Sequence, residues 1–181
     1  MKNSARKTAF VMLCITTFSV WANPSPYAGQ QTREIKSLSE SDIKSLNNGE
    51  GWGLAKPAEL NGVPGPAHIL ELKNELALSK KQIVAVQTIW NTMNQSARDY
   101  GQYYLESEAK IEAFFQAAQA DETQLSALLT ESANHLAKLR QIHLQAHLQA
   151  KPVLTHHQLM TYQRLRGYVN AKGHIGHKHS H

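Results

Sequence analysis

The stretch "LSKKQ" at 78–82 returns almost unchanged as "LTHHQ" at 154–158. In each, a small hydroxyl residue is followed three positions later by glutamine, which is the spacing of a capping box. The hydroxyl of Ser79 or Thr155 accepts a bond from a first-turn backbone N–H, and Gln82 or Gln158 reaches back to the backbone of the cap. Leu78 with Ile83, and Leu154 with Leu159, add an apolar residue before the cap and another at the fourth helical position, a hydrophobic staple. Looser versions, "LSESDI" at 38–43 and "ADETQL" at 120–125, mark two further starts. Four helix N-termini are therefore written into the chain.

Between those starts the apolar residues recur at steps of three and four. Val86, Ile89, Met93, Ala97, Tyr100, Tyr104, Ile111 and Phe115 share one face, and Leu125, Leu129, Leu136 and Leu139 form a second stripe. No segment alternates with period two long enough to make a strand. The expected fold is all-α: a long antiparallel helical hairpin joined around 117–122, short flanking helices at 39–46 and 155–165, and a turn or two of helix within 66–77. A helix over 80–118 would be about 58 Å long at 1.5 Å per residue. Either Gly101 bends it, or the protein is an elongated dimer whose exposed flank meets a second copy. The dimer is the expectation, because a glycine weakens a helix without necessarily breaking it.

Residues 1–22 read as a cleaved secretory signal, with Lys2, Arg6 and Lys7 ahead of an apolar run and "VWA" before the cut. The run is too short to span a bilayer, so no stable membrane anchor is expected. Cys14, the only cysteine, lies inside this run, which leaves the exported chain without a disulfide, a thiol metal site or a catalytic thiol. Loss of the three basic residues takes the formal charge from +5 to +2, and no basic stripe with stacking aromatics suggests nucleic acid. A flexible leader follows at 23–37, then the helical domain at 38–168. Within it an irregular Gly/Pro loop at 47–68 needs side-chain pins, for which Trp52, Leu54 and Leu60 are candidates. A histidine-rich flexible tail closes the chain at 169–181. No catalytic signature motif occurs, and "GEGWG" lacks the lysine and helix start of a phosphate loop, so an enzyme is not expected.

A doubled L-[TS]-x-x-Q at two helix starts of an exported all-α chain resembles the LTxxQ family of periplasmic stress proteins, the Spy/CpxP group with its zinc-resistance and heavy-metal-sensor relatives. "AELNGVPGPAHILEL" at 58–72, "HLQAHL" at 143–148 and "YQRLRGY" at 162–168 are similar to members of that group. Ser79 stands where the motif has threonine, which preserves the capping chemistry. The resemblance implies a periplasmic, curved helical homodimer that binds metal, holds unfolded periplasmic proteins, or damps an envelope-stress sensor.

All ten histidines lie beyond residue 22. On a helical wheel His143 falls beside Leu136 and Leu139, and His147 follows one turn later, so both face inward. Neutral imidazoles four apart on one face are a usable ligand pair for zinc, copper or nickel ions. His68, after the Pro-Gly-Pro turn, or Glu108, near the edge of the facing stripe, would complete the site. The competing reading makes the pair hydrogen-bonded core histidines and Glu108 an exposed acid. His156 and His157 are expected to be exposed first-turn residues. In the tail, His174, His177, His179 and His181 alternate with small and charged residues and are candidate chelators, with an inert polar tail as the other reading. The leading functional expectation is a non-enzymatic, metal-binding periplasmic stress protein for heavy-metal resistance or sensing. The alternative is an ATP-independent chaperone or modulator of an envelope stress pathway.

Overall fold

The structure is a computed structural model that describes residues 25–118 and 121–169. The signal at 1–22 and the tail histidines His174, His177, His179 and His181 lie outside the described residues. The chain divides into a segment ending at Gln31 and a helical unit from Thr32 onward. In the first, residues 25–31 form local turns, with the Ala28 N–H donating to the Ser25 carbonyl and Gln30 to Tyr27.

The helical unit is all-α, with no strand among the described residues. Its elements are α1 (Glu40–Asn47), α2 (Lys56–Glu59), α3 (Pro66–Glu71), α4 (Lys80–Gln116), α5 (Glu122–Ala150) and α6 (His156–Leu165), with a 3-10 turn at Lys151–Val153 before α6. Helices α4 and α5 run antiparallel: Lys110 pairs with Glu131, and Tyr103 lies against His135. No helix among the described residues is long and apolar enough to cross a membrane.

Each helix start in the doubled motif carries its capping box. Ser79 Oγ accepts from the Gln82 N–H at 3.3 Å, and the Ser79 N–H donates to Gln82 Oε1 at 3.0 Å. Thr155 and Gln158 repeat both bonds, at 3.3 and 2.9 Å. Ser39 with Asp42 caps α1 in the same way, and Asp121 caps α5 through the N–H groups of Thr123 and Gln124.

The two motifs also meet. Gln82 Nε2 donates to Gln158 Oε1 at 2.8 Å and Gln158 Nε2 donates to Gln82 Oε1 at 3.2 Å, so the amides bond reciprocally. Their remaining N–H groups reach the Val153 and Leu76 carbonyls. Each glutamine therefore caps its own helix and locks onto the other, and the buried polar atoms are satisfied within one four-way network.

Gly101 does not break α4, which is continuous through it. It is a contact point instead: a Cβ there would stand 2.6 Å from the Leu46 carbonyl oxygen, so the missing side chain lets the end of α1 lie directly on α4. Two apolar clusters result. One gathers Ile35, Leu38, Leu46, Tyr104 and Leu139, and the other Ile69, Leu76, Val86, Leu154 and Tyr162.

Three expectations need correction. The leader does not extend to residue 37, because Ile35 is buried, Lys36 pairs with Glu112, and Ser37 Oγ donates to Glu108. Phe115 is 60% exposed and Phe114 takes its place inside, since a step of three from Ile111 keeps to the buried face near the helix end. Leu129 is 51% exposed, because nothing described packs over that side of the two-helix stretch.

Candidate functional site

The loop at 47–68 is pinned in two ways. Trp52 donates its indole N–H to Asp42 Oδ1 at 2.8 Å and lies against Tyr104, while Leu54 packs on the first apolar cluster. Leu60 is not a pin, at 61% exposed. Its neighbour Glu59 takes that role, buried where α2 meets α5 and α6.

Glu59 Oε1 accepts from the Tyr162 and Tyr168 hydroxyls, the latter at 3.1 Å, and Oε2 accepts from the Gly65 N–H at 3.2 Å. His68 Nδ1 lies 3.5 Å away, Arg166 Nε 3.6 Å and His147 Nδ1 3.8 Å. Burial alone would push the carboxyl pKa up. The bonds from His68, Tyr162, Tyr168 and Gly65 outweigh it and hold the group down at about 2. A carboxylate so stabilised in its charged form is a poor proton acceptor at neutral pH, which makes Glu59 a clasp rather than a general base. The clasp also raises the Tyr162 phenol, by burial first and then by its bond to Glu59.

Both central histidines of α5 are buried. His147 Nδ1 is 2.7 Å from the Val63 carbonyl, which can only accept, so Nδ1 donates. Gly65 faces the other ring nitrogen closely: a Cβ at Gly65 would stand 2.7 Å from Nε2. One turn earlier His143 is 3% exposed, and its Nε2 is buried without a hydrogen-bond partner. Burial, with His147 adding to it, lowers its pKa to about 4 and keeps the ring neutral at pH 7.

Two cavities flank this seam. The first, about 340 Å³, is bordered by His68, His143, His147, Glu50, Met93 and Trp90. The second, about 450 Å³, is bordered by Trp52, Lys56, Leu60, Arg166 and Tyr168, with His68 and His147 shared between them.

The structure thus brings His143, His147 and His68 to one cavity. Of these, His68 has both nitrogens engaged, Nδ1 toward Glu59 and Nε2 at 3.4 Å from Arg166 Nη2. Glu108 is elsewhere. It accepts from Ser37 at 2.8 Å and from Ser132 at 2.5 Å, and Ser132 precedes His143 on α5 by about 16 Å of helix axis. Among the described residues no three His, Cys, Asp or Glu side chains converge so as to hold a metal ion together. The expected third ligand from His68 or Glu108 is therefore not supplied in this arrangement. His156 and His157 are exposed in the first turn of α6.

The sequence reading missed Glu59, Tyr162 and Tyr168. Their only sequence signal is that two tyrosines flank the end of α6 while a lone acid ends a loop helix. Scans against protein-family models, curated proteins and solved structures find no match.

Proposed function

We propose that this chain is a non-enzymatic envelope protein of the LTxxQ type, exported to the periplasm, that binds a transition metal through His143 and His147. The observation that carries the reading is the Nε2 of His143, buried, unpartnered and on a ring held neutral at pH 7. A second feature supports it: His147 Nδ1 is engaged by the Val63 carbonyl, which leaves Nε2, on the side where Gly65 packs closely, as its other donor nitrogen. Two imidazoles one turn apart supply two nitrogen donors for zinc, copper or nickel. The Val63 carbonyl fixes the His147 tautomer from behind, the usual second-layer arrangement for a ligating histidine. The other coordination positions fall to water or to groups outside this pair.

The test is calorimetric titration of the full chain with each of the three ions, after His174, His177, His179 and His181 have been replaced by alanine. Retained binding that falls at least about tenfold in both His143→Ala and His147→Ala supports a shared site. Binding lost entirely with the tail histidines would move metal capture to the tail and end the core-site reading.

A second reading is favoured by a different observation. Phe115 and Leu129 are exposed on the α4/α5 stretch beyond the short helices, apolar surface suited to unfolded clients or to a second copy in a Spy/CpxP-like dimer. Suppression of aggregation of a reduced test protein in the presence of chelator, lost when Leu129 and Phe115 are made charged, would favour it.

A further inference from the structure

The second cavity has a chemistry that the metal reading does not use. Its volume of about 450 Å³ falls in the range of small-ligand sites, roughly 300–1,000 Å³. Trp52, Leu60 and Tyr168 give it apolar and aromatic walls, and Lys56 and Arg166 give it cations.

The charges do not cancel. Glu59 is the one acid on the lining, is ionised, and is surrounded by its own donors, so it does not neutralise Lys56. No ion pair among the described residues includes Lys56. Arg166 is held 3.6 Å from Glu59, and its Nε makes no hydrogen bond. Two permanent cations against one carboxylate leave one surplus positive charge before either histidine is protonated.

Trp52 is a rigid part of the wall, although the strained φ it has is shared by Ala77 and Ala118, which line neither cavity. Its backbone has φ of 43°, a conformation that side-chain-bearing residues rarely adopt. The bond to Asp42 and the contact with Tyr104 hold the indole in place against this strain, so that it forms part of the cavity wall.

We propose that this cavity binds a small organic carboxylate with an apolar or aromatic body. The carboxylate lies toward Lys56 and Arg166, which match its single charge, and the body lies against Trp52 and Leu60. A multiply charged inorganic anion fits poorly, because the surplus is one charge and much of the wall is apolar. A metal ion is disfavoured by the two cations. The cavity borders His147, which the metal reading also uses, but the carboxylate's partners are Lys56 and Arg166, so its occupancy is expected with all metal chelated, and failure of either reading leaves the other standing.

The experiment is calorimetric titration of the full chain in chelator with phenylacetate, indole-3-acetate and hexanoate. At least one should bind saturably at one site. The corresponding neutral amide should bind at least about tenfold more weakly, since it offers the cations no charge. Lys56→Gln should weaken binding by about fivefold or more with an unchanged helical circular-dichroism spectrum, whereas Lys151→Gln, outside the cavity, should leave it unaltered. No binding of any of the three acids at millimolar concentration would overturn the proposal. So would equal binding of acid and amide, or wild-type affinity in Lys56→Gln.

Discussion

Where α4 begins and α5 ends, polar groups are buried and bonded to one another: the Gln82–Gln158 amides, the Glu59 clasp, and His147 on the Val63 carbonyl. Where α4 ends and α5 begins, Phe115 and Leu129 stand in the open, and beside the bonds that Glu108 accepts from Ser132 and Ser37 the polar contacts are surface pairs such as Lys110–Glu131 at 2.7 Å. The same two helices thus do different work along their length. At the first end, each buried group depends on partners from other elements, so a single change strands several of them. At the second end a lost contact is replaced by water, and exposed ion pairs contribute at most about 1 kcal/mol.

The largest effect is therefore expected at Glu59. Glu59→Ala would leave Arg166 without its counter-charge and the Tyr162 hydroxyl without its acceptor, while freeing the Gly65 turn from α2. Each buried hydrogen-bonding group left without its partner costs about 1–3 kcal/mol, and the part-exposed Arg166 adds less than a fully buried charge would. Chemical denaturation should show a loss of that size, against no resolvable loss for Glu131→Gln at the solvent-exposed other end. Equal losses at the two positions would break the distinction between the ends.

Acid should act on the same end. His143 has a pKa of about 4 in the folded chain against 6.5 when unperturbed, so between those values the unfolded chain binds a proton that the folded chain does not. Stability is then full above pH 6.5 and falls as pH drops toward 4, by about 3 kcal/mol at 1.36 kcal/mol per pKa unit. Glu59 adds a further loss as pH falls from 4.5 toward 2, since its folded-state pKa is also depressed. His143→Leu should flatten the upper part of this profile, as read from thermal unfolding at stepped pH. A profile unchanged by that substitution would place the acid sensitivity elsewhere.

The glutamine pair comes next in size. Gln158→Ala removes the reach-back bond to Thr155 and leaves the Gln82 amide and the Leu76 carbonyl short of a partner, at about 1–3 kcal/mol. Because the two amides bond each other, Gln82→Ala combined with Gln158→Ala should cost less than the sum of the single changes, by about 0.5–3 kcal/mol. Additive losses would reduce the doubled motif to two independent caps.

That doubling was legible in the sequence because capping is local: Ser79 and Thr155 each bond a residue three positions on, and a spacing of three can be read from a string. The inward position of His143 and His147 was legible for a similar reason, since helical periodicity is fixed by 3.6 residues per turn. The meeting of Gln82 with Gln158 was not, because it depends on the path taken by everything between them. The Glu59 clasp has the same character, drawing on residues 59, 65, 68, 147, 162, 166 and 168 from four helices and the segments beside them. Gly101 carried an ambiguous signal: a glycine within a helix can mark a close approach, and only the position of Leu46 reveals it. Glu108 was proposed as a ligand from its place near the edge of a stripe, but a wheel fixes angle and not height, and its height places it opposite Ser132.

The smallest effect is expected at Leu129. Its side chain is already half in water, so in a single dilute chain Leu129→Gln removes little buried surface and should change stability by no more than about 0.5 kcal/mol. A second copy covering this flank would change the outcome in a way that concentration reveals. Anything that binds only the folded chain stabilises it by mass action, so the wild-type unfolding midpoint should rise with protein concentration. Leu129→Gln should then match the wild type when dilute and fall behind it when concentrated. A wild-type midpoint independent of concentration would mean that the flank stays uncovered between copies, leaving unfolded clients as its candidate occupant. The weakly built end would then differ from the clasped end by its exposure as well as by its lack of buried polar bonds.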